Sequence, residues 1–314
     1  MKTTEFAIIG LGGVGGYFGF KLARKYAADS AINVTFIARE KTYDIVKENG
    51  LTLLSAENED AIARPHQILK EVAELGHTDV FVICVKEYDL ENICNQLKDK
   101  IKNDTVILPL MNGVDIYERI RKIISSGIVL PSCVYVASHI KEKGVVEHKG
   151  NPGKIIVGKD PAHQEFDPQG IVDLFKDASV DIDYKEDSFP AIWSKYFFIA
   201  SFGLVSARYN KSIGQVNEEE ELHQRALKVM QEIQAIAIRK EINLPENIIA
   251  QTFQKAASFP FQTPTSLQLD VQSGKENTEL ELFAGAIIAY GKALGIPVPE
   301  TTEIYHEIKN GMLV

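Results

Sequence analysis

One lysine stands inside a stretch of sequence that carries no other charge. The stretch is AIWSKYFFIASFGLVSA, residues 191–207, and its other residues are aromatic, aliphatic or small. The pattern predicts a helix on which Lys195 has apolar neighbours one turn away in both directions. These neighbours are Ala191, Ile192, Phe198 and Ile199. A solvated surface position does not readily explain such a face.

Two interpretations of Lys195 stay open at this point. The stem of the side chain can lie along the apolar face while the ammonium stays in water. Alternatively, the lysine lies in a cleft at the seam of two domains, where its ammonium can hydrogen-bond a substrate carbonyl, stabilise the developing alkoxide and donate a proton. Carbonyl reduction requires these functions, and Glu279 is the candidate carboxylate beside the cation.

Carbonyl reduction also needs a hydride donor, and the N-terminal sequence predicts a site for one. FAIIGLGGVGGYFGFKLARKY reads as a buried strand, a glycine turn and a helix. Its glycines fit G-x-G-x-x-G, in which the first permits the turn, the second admits a pyrophosphate and the third lets the helix pack closely. The residues predicted to bind a dinucleotide are Gly10, Leu11, Gly12, Gly13, Val14 and Gly15.

The residue after the second predicted strand bears on the choice of dinucleotide. NVTFIARE ends with Arg39, where NAD-binding folds usually carry an acidic residue for the ribose hydroxyls. An arginine favours NADP, because it can bind the 2′-phosphate. The alternative is a surface arginine with Glu40 as its local partner.

Two more buried strands are predicted in DVFVICVKEYDL and DTVILPLMNGVD, and they are followed by Lys86 and Asn112. Ligands of open parallel sheets bind at the carboxyl ends of the strands. We therefore expect Lys86 and Asn112 on the same rim as the glycine turn. A solvated lysine and a turn asparagine before Gly113 are the alternative.

The order of the elements predicts an α/β fold with two domains. Strand patterns continue through PSCVYVASHI, GVVEHKG and GKIIVGKD to VDIDYKED, and long helical patterns follow. We predict a Rossmann-type doubly wound sheet in residues 1–185 and an all-helical substrate and catalytic domain in residues 186–314.

Composition excludes several classes of partner. The formal charge is −9 and the pI is about 5.4, so no basic field exists to gather nucleic acid or an anionic membrane.

The cysteines, Cys84, Cys94 and Cys133, are widely spaced, as is typical of reduced thiols. His139 and His148 lack metal-ligand spacing, and no apolar run is long enough for a signal or a membrane span. We expect a cytoplasmic protein without a metal, and a homodimer remains open.

Several separated motifs together resemble those of the ketopantoate reductase family, from GLGGVGGYFG to GIPVPETTEIYHEIK. The family has a glycine fingerprint, an arginine after the second strand, a lysine after a core strand and an Asn-Gly turn. Its helical half has a Trp-x-Lys helix, an S-x-x-x-D segment and a Thr-Glu helix start. The residues that resemble this second set are Trp193, Lys195, Ser266, Asp270, Thr278 and Glu279.

The resemblance implies NADPH-dependent reduction of ketopantoate to pantoate, for the synthesis of pantothenate and coenzyme A. Lys195 would be the general acid, and Glu279 would help to place lysine, substrate and cofactor. Asn112 and Ser266 would bind the substrate, with Asn112 also near the nicotinamide, and Lys86 would lie by the cofactor.

Departures from the family pattern keep other functions open. Ile199 and Gly203 stand where ketopantoate-reducing relatives carry asparagines, so a different 2-keto acid or hydroxy acid is one alternative. A non-catalytic protein that senses NADP is another. The segment between Asp270 and Glu279 is also about one residue longer than in many relatives, and Gly274 can absorb a turn there.

Overall fold

The chain divides into two compact units, which we call the sheet unit and the helical unit. The computed structural model describes residues 3–55, 58–274 and 277–311. The sheet unit comprises Met1–Asn112 and Ile116–Ser188, and the helical unit comprises Gly113–Asp115 and Phe189–Val314. The boundary that the sequence predicts, between residues 185 and 186, lies just before the end of the sheet unit.

The sheet unit contains thirteen strands and five α-helices among its described residues. The strands are β1 (Thr4–Ile9), β2 (Ile32–Ile37), β3 (Leu51–Ser55), β4 (Asn58–Ala63), β5 (Gln67–Leu69), β6 (Val80–Ile83), β7 (Val106–Pro109), β8 (Ile128–Val129), β9 (Ser132–Tyr135), β10 (Ser138–Glu142), β11 (Val145–His148), β12 (Lys154–Gly158) and β13 (Asp181–Lys185). The helices are α1 (Gly13–Tyr26), α2 (Glu40–Asn49), α3 (Glu87–Leu97), α4 (Ile116–Ile123) and α5 (Gln169–Asp177), with a 3₁₀ turn at Val72–Glu74.

A six-stranded parallel sheet forms the centre of this unit, in the order β5-β2-β1-β6-β7-β8. This is the strand order of a Rossmann fold, which confirms the predicted fold class. The strands are short and almost wholly apolar, as strands with both faces covered must be. Ile9 pairs with both Ile37 and Ile83, and Ile83 pairs with Pro109, so four strands end at one level. The loops after these strands therefore share one edge.

The sheet unit also contains two smaller sheets, which the sequence did not predict to be separate from the central sheet. One has the order β10-β11-β3-β4, and the other has the order β13-β12-β9. PSCVYVASHI, which the sequence predicts as one strand, breaks after Tyr135 into β9 and β10, which belong to different sheets. The strands β3, β4 and β5 were not predicted: β3 and β4 pair with each other as neighbours in the sequence, and β5 has only three residues.

Helix α1 contacts both the central sheet and the sheet of β10 and β11, and glycines make this possible. A Cβ on Gly15 would overlap the carbonyl oxygen of Gly10 and lie 2.8 Å from Cys84 Cβ. On another side of the helix, a Cβ on Gly13 would overlap the Ser138 carbonyl, and one on Gly16 would overlap the Val146 side chain. Gly13 and Gly16, which are not the three glycines of the fingerprint, therefore allow α1 to pack against the sheet of β10 and β11.

The helical unit is built around one long buried helix. Its described helices are α6 (Phe189–Tyr209), α7 (Ile213–Glu218), α8 (Glu220–Arg239), α9 (Ile248–Ala257), α10 (Ser266–Gln272), α11 (Ala286–Leu294) and α12 (Pro299–Lys309), with a π-helical segment at Glu281–Gly285. Helix α6 is buried along most of its length and contacts α7, α8, α9, α10, α12 and the π-helical segment. This is the environment expected of a helix that is apolar on all sides. The described residues of this unit after Ser188 form helices and no strand, which confirms the helical part of the predicted fold class.

The first turn of α12 is held by a buried carboxylate from α8. Glu232 accepts hydrogen bonds from the backbone N–H groups of Glu300 and Thr301, at 2.7 and 2.9 Å, and from the Thr301 hydroxyl. Burial raises the pKa of Glu232 above its usual value, while the hydrogen bonds from Thr301 and Glu300 oppose that shift. A carboxylate at a helix N-terminus also complements the helix dipole.

Substitution of two nearby glycines by alanine should change the stability of the protein by very different amounts. Gly15→Ala should lower the free energy of unfolding by at least about 2 kcal/mol, because its Cβ has no space against backbone atoms. Gly12→Ala should change it by less than about 0.5 kcal/mol, because that Cβ would meet no atom within 4 Å and φ is −73°. Chemical denaturation of both variants checks this, and equal destabilisation would contradict the packing role of Gly15.

Candidate functional site

A cavity of about 1130 Å³ opens at the carboxyl edge of the central sheet, within the sheet unit. Its walls come from the loops after β1, β2, β5 and β6, from the outer face of α3 and from the β10–β11 turn. Five residues that the sequence predicts for cofactor binding line this cavity: Gly10, Leu11, Gly12, Arg39 and Lys86. The strand-end rule therefore brings together residues that are far apart in the sequence.

The glycine turn has the geometry that a pyrophosphate needs. Gly10 has φ +93°, a conformation that favours glycine, and a Cβ there would lie 2.9 Å from the Cys84 carbonyl oxygen. Gly12 lines the cavity, and a Cβ on it would project into open space. Helix α1 begins at the next residue, so its first N–H groups lie at the turn. This arrangement fits a dinucleotide, whose phosphates bind at such helix N-termini.

Five of the predicted cofactor residues do not line the cavity, and one of them, Glu279, belongs to the helical unit. Gly13 faces the Ser138 carbonyl of β10, Val14 is half-buried, and Gly15 packs against the turn at Gly10. Asn112 follows β7 at the same edge of the sheet, but it lies outside the lining. Glycine at 13 and 15 is thus explained by packing, while their roles toward a cofactor remain predictions.

Arg39 lies two residues after β2 and is the N-cap of α2. The side chain is exposed, and its Nη1 atom lies 3.7 Å from the carboxylate of Asp89 on α3. The partner that the sequence suggested, Glu40, also lines the cavity and has a positive φ of 49°. An exposed arginine at this edge fits an anionic group such as a 2′-phosphate.

Other charged residues of the cavity were missed by the sequence analysis. Lys70 directly follows β5, Lys143 lies in the β10–β11 turn, and Asp89 lies in the first turn of α3. The signal for Lys70 was a lysine after an apolar pair, but β5 has only three residues and does not stand out as a strand. Asp89 follows Lys86 by three residues, which places it one helical turn further along.

Cysteine chemistry does not fit this site. Cys84 lines the cavity, and burial raises the pKa of its thiol well above the usual range. Cys94 is also buried, with a pKa raised to about 12 by desolvation and then by Glu91. Both thiols are therefore protonated at neutral pH and are poor nucleophiles. Among the described residues, no group of three or more His, Cys, Asp or Glu side chains is placed to hold a metal ion.

In the helical unit, Lys195 is buried within α6, with a relative exposure of 9%. Two aromatic residues beside it fix the rotation of the helix. Trp193 is 1% exposed and packs near Tyr290, with ring centroids 6.1 Å apart. The hydroxyl of Tyr196 lies 2.9 and 2.7 Å from the carbonyl oxygens of Leu282 and Phe283. The stem of Lys195 is therefore buried, as both interpretations of this residue require, and its role as an acid stays a prediction.

Glu279 lies just before the segment that Tyr196 binds, and it is also buried, with 6% exposure. Its carbonyl accepts a hydrogen bond of 3.1 Å from the N–H of Phe283, which starts the turn. The following residues form a π-helical segment rather than the plain helix that the sequence predicts. Single π-helical turns are frequent at functional sites. Tyr196 thus links the helix of Lys195 to the segment that follows Glu279.

Ser266 is the first residue of α10 and is exposed, with Asp270 one turn later. Thr265 caps this helix, since its hydroxyl accepts from the N–H of Gln268 at 3.2 Å. Gly274 ends the helix with φ +64°, the turn that the sequence allowed for, while residues 275–276 lie outside the described ranges. Thr278 is half-buried.

The two positions that depart from the family pattern differ in exposure. Ile199, one turn after Lys195, is half-buried, whereas Gly203 is buried. A Cβ on Gly203 would lie 3.8 Å from Leu267 Cβ, so α10 covers this position.

Within the described ranges, every helix is too short or too polar to span a bilayer. Comparison with known proteins places the whole chain among relatives of similar length. It is 24% identical to the uncharacterized oxidoreductase YkpB of Bacillus subtilis (strain 168), over 97% of this chain and 98% of that protein.

Two solved structures share the fold. One is a PanE/ApbA family ketopantoate reductase from Ralstonia eutropha JMP134, with a TM-score of 0.86 and 24% identity over 99% of this chain and 98% of that one. The other is the ternary structure of D-mandelate dehydrogenase with NADH and anilino(oxo)acetate, with a TM-score of 0.83 and 19% identity over 98% and 99% of the two chains.

Sequence models of one family match both halves of the chain. The model for ketopantoate reductase PanE/ApbA matches residues 6–162, and the model for its C-terminal region matches residues 187–311. Together with the Rossmann sheet, the glycine turn and the helical second unit, these matches show that the chain belongs to the ketopantoate reductase family of oxidoreductases.

Proposed function

We propose that this protein reduces a 2-keto acid with NADPH, and that its substrate is ketopantoate, the precursor of pantoate in pantothenate and coenzyme A synthesis. The observation that carries the proposal is the cavity that joins the glycine turn of Gly10 and Gly12 to Arg39 and Lys86. The fold alone does not choose between NADPH and NADH, because the D-mandelate dehydrogenase of similar fold was solved with NADH. The choice of NADPH is therefore part of this proposal.

The sheet unit supplies the groups that hold the dinucleotide. The N–H groups at the start of α1 stabilise the pyrophosphate, and Gly12 leaves the space for it. Arg39 binds the 2′-phosphate, and Lys86, at the end of β6, adds positive charge along the cofactor. When bound, NADPH supplies the hydride for the carbonyl carbon.

The helical unit supplies the acid. The Nζ atom of Lys195 donates a hydrogen bond to the substrate carbonyl oxygen and transfers a proton to it as negative charge develops. Glu279 orients the lysine before the transfer. Ser266, exposed at the start of α10, offers a neutral donor to the substrate, and Asn112 of the sheet unit offers an amide. Donors of this kind suit the carboxylate of a 2-keto acid.

A second candidate is a 2-keto acid with a wholly apolar side chain, and one feature of the helical unit favours it. Phe198, one turn after Lys195, stacks on Phe259, with ring centroids 5.2 Å apart and an interplanar angle of 13°. Phe259 is 36% exposed, and Ile199 is half-buried beside Phe198 on the same helix. An apolar surface next to the proposed acid would accept a branched or aromatic group, and would bind a hydroxyl less well.

Removal of the Lys195 ammonium should separate chemistry from cofactor binding. Lys195→Met, which keeps much of the stem, should lower kcat with ketopantoate by about 10²- to 10⁴-fold. The Kd for NADPH should change by less than about twofold, because the lysine acts on the carbonyl and not on the phosphates. Steady-state kinetics and fluorescence titration of NADPH measure the two quantities.

Lys292→Ala is the matched control, because Lys292 is an exposed lysine on α11 of the same unit. It should keep wild-type kcat and Kd. Parallel losses of kcat and NADPH affinity in Lys195→Met, in protein that stays folded by circular dichroism, would remove Lys195 from the chemical step.

Loss of the Arg39 guanidinium should weaken the binding of the 2′-phosphate, which NADPH carries and NADH lacks. Arg39→Ala should raise the Kd of NADPH by roughly 10- to 100-fold, the worth of a charge-assisted hydrogen bond, and should change that of NADH far less. Arg64→Ala removes an exposed arginine outside the cavity and should change neither value. Equal weakening of both cofactors by Arg39→Ala would place the 2′-phosphate elsewhere.

A further inference from the structure

The cavity of the sheet unit carries acidic as well as basic side chains. Among the described residues that line it, the cations are Arg39, Lys70, Lys86 and Lys143, and the carboxylates are Glu40, Glu71 and Asp89. A site that selects a 2′-phosphate by charge alone would not be expected to hold so many carboxylates. Their individual positions decide whether they matter to the ligand.

The carboxylate of Glu71 binds within its own turn, whereas the carboxylate of Asp89 faces Arg39. The side chain of Glu71 caps the 3₁₀ turn at Val72–Glu74, where it accepts from the backbone of Glu74. Asp89 Oδ1, in contrast, lies 3.7 Å from Arg39 Nη1, across the cavity from β2. The side chain of Asp89 is 36% exposed and that of Arg39 is 56% exposed, so solvent and ligands reach both.

The local structure explains why an aspartate is tolerated at this position. Asp89 lies in the first turn of α3, where a carboxylate complements the helix dipole. Its backbone N–H donates to the Lys86 carbonyl at 3.0 Å, which makes the residue part of the turn that positions Lys86. The backbone of Asp89 is therefore held by the turn, and its carboxylate lies 3.7 Å from the guanidinium.

This placement has opposite consequences for the two dinucleotides. A 2′-phosphate on Arg39 would share the guanidinium with Asp89 and would meet the negative charge of that carboxylate at close range. The 2′-hydroxyl of NADH carries no charge and can donate a hydrogen bond to a carboxylate, the contact that acidic residues make in NAD-binding folds. One carboxylate thus weakens NADPH binding and supports NADH binding.

We propose that Asp89 is a cofactor-specificity residue that limits the preference of this protein for NADPH over NADH. The inference rests on the proposed function, in which Arg39 binds the 2′-phosphate. It assigns to Asp89 a role in binding and none in the transfer of hydride.

The test is the ratio of the Kd for NADH to the Kd for NADPH, measured by titration calorimetry in Asp89→Asn. This substitution keeps the shape of the side chain and removes its charge. We expect the ratio to rise by about three- to tenfold, mainly through tighter NADPH binding, and to rise less at high salt. Glu91→Gln is the matched control, because it removes one carboxylate from the exposed face of α3 outside the cavity lining. It should leave the ratio unchanged.

A second variant separates competition for Arg39 from a structural role. In an Arg39→Ala background, Asp89→Asn should raise the ratio less than it does alone, since the shared partner is gone. An unchanged ratio, or weaker NADPH binding in Asp89→Asn, would overturn the inference, because Asp89 would then be neutral or would hold Arg39 in place for the phosphate. If the wild-type protein binds neither dinucleotide, the proposed function fails together with the inference, whereas binding with an unchanged ratio removes the inference alone.

Discussion

The close approach of α1 to the end of β1 is the constraint on which the cofactor site depends. Gly15 lies against the Gly10 carbonyl and Cys84, and no other residue type fits there without displacing backbone. Because the helix starts so close to the strand, its N-terminus meets the edge where β1, β2, β6 and β7 end together. The cavity and the positions of Arg39 and Lys86 follow from that edge.

In the helical unit, the feature that needs a physical explanation is Lys195, a lysine buried in an apolar helix. Trp193 and Tyr196 anchor α6 on both sides of Lys195, and the Tyr196 hydroxyl reaches the π-helical segment that follows Glu279. Burying a lysine and a glutamate costs free energy that well-packed apolar residues would not require. In the proposed function, Lys195 is the acid and Glu279 is the carboxylate that orients it.

Local sequence patterns were enough to predict the central sheet and part of its cavity. Residues that are placed by pairing between distant segments were missed. The fingerprint of Gly10, Gly12 and Gly15 and the rule of strand ends were enough to bring Arg39 and Lys86 to one cavity. Lys70 and Lys143 were missed because β5 is very short and the β10–β11 turn is placed by a second sheet. The π-helical segment was missed because its sequence has the pattern of an ordinary helix, and the hydroxyl of Tyr196 that donates to its carbonyls comes from another helix.

The proposed reaction of this protein is the reduction of ketopantoate by NADPH, in spite of Ile199 and Gly203. The most direct measurement is the kcat/KM of the purified protein with NADPH for ketopantoate, pyruvate and 2-ketoisovalerate, followed by the loss of NADPH absorbance. We expect the highest kcat/KM for ketopantoate. Tight binding of NADPH with poor turnover of ketopantoate, and faster turnover of 2-ketoisovalerate, would contradict the claim and would favour a substrate with an apolar side chain.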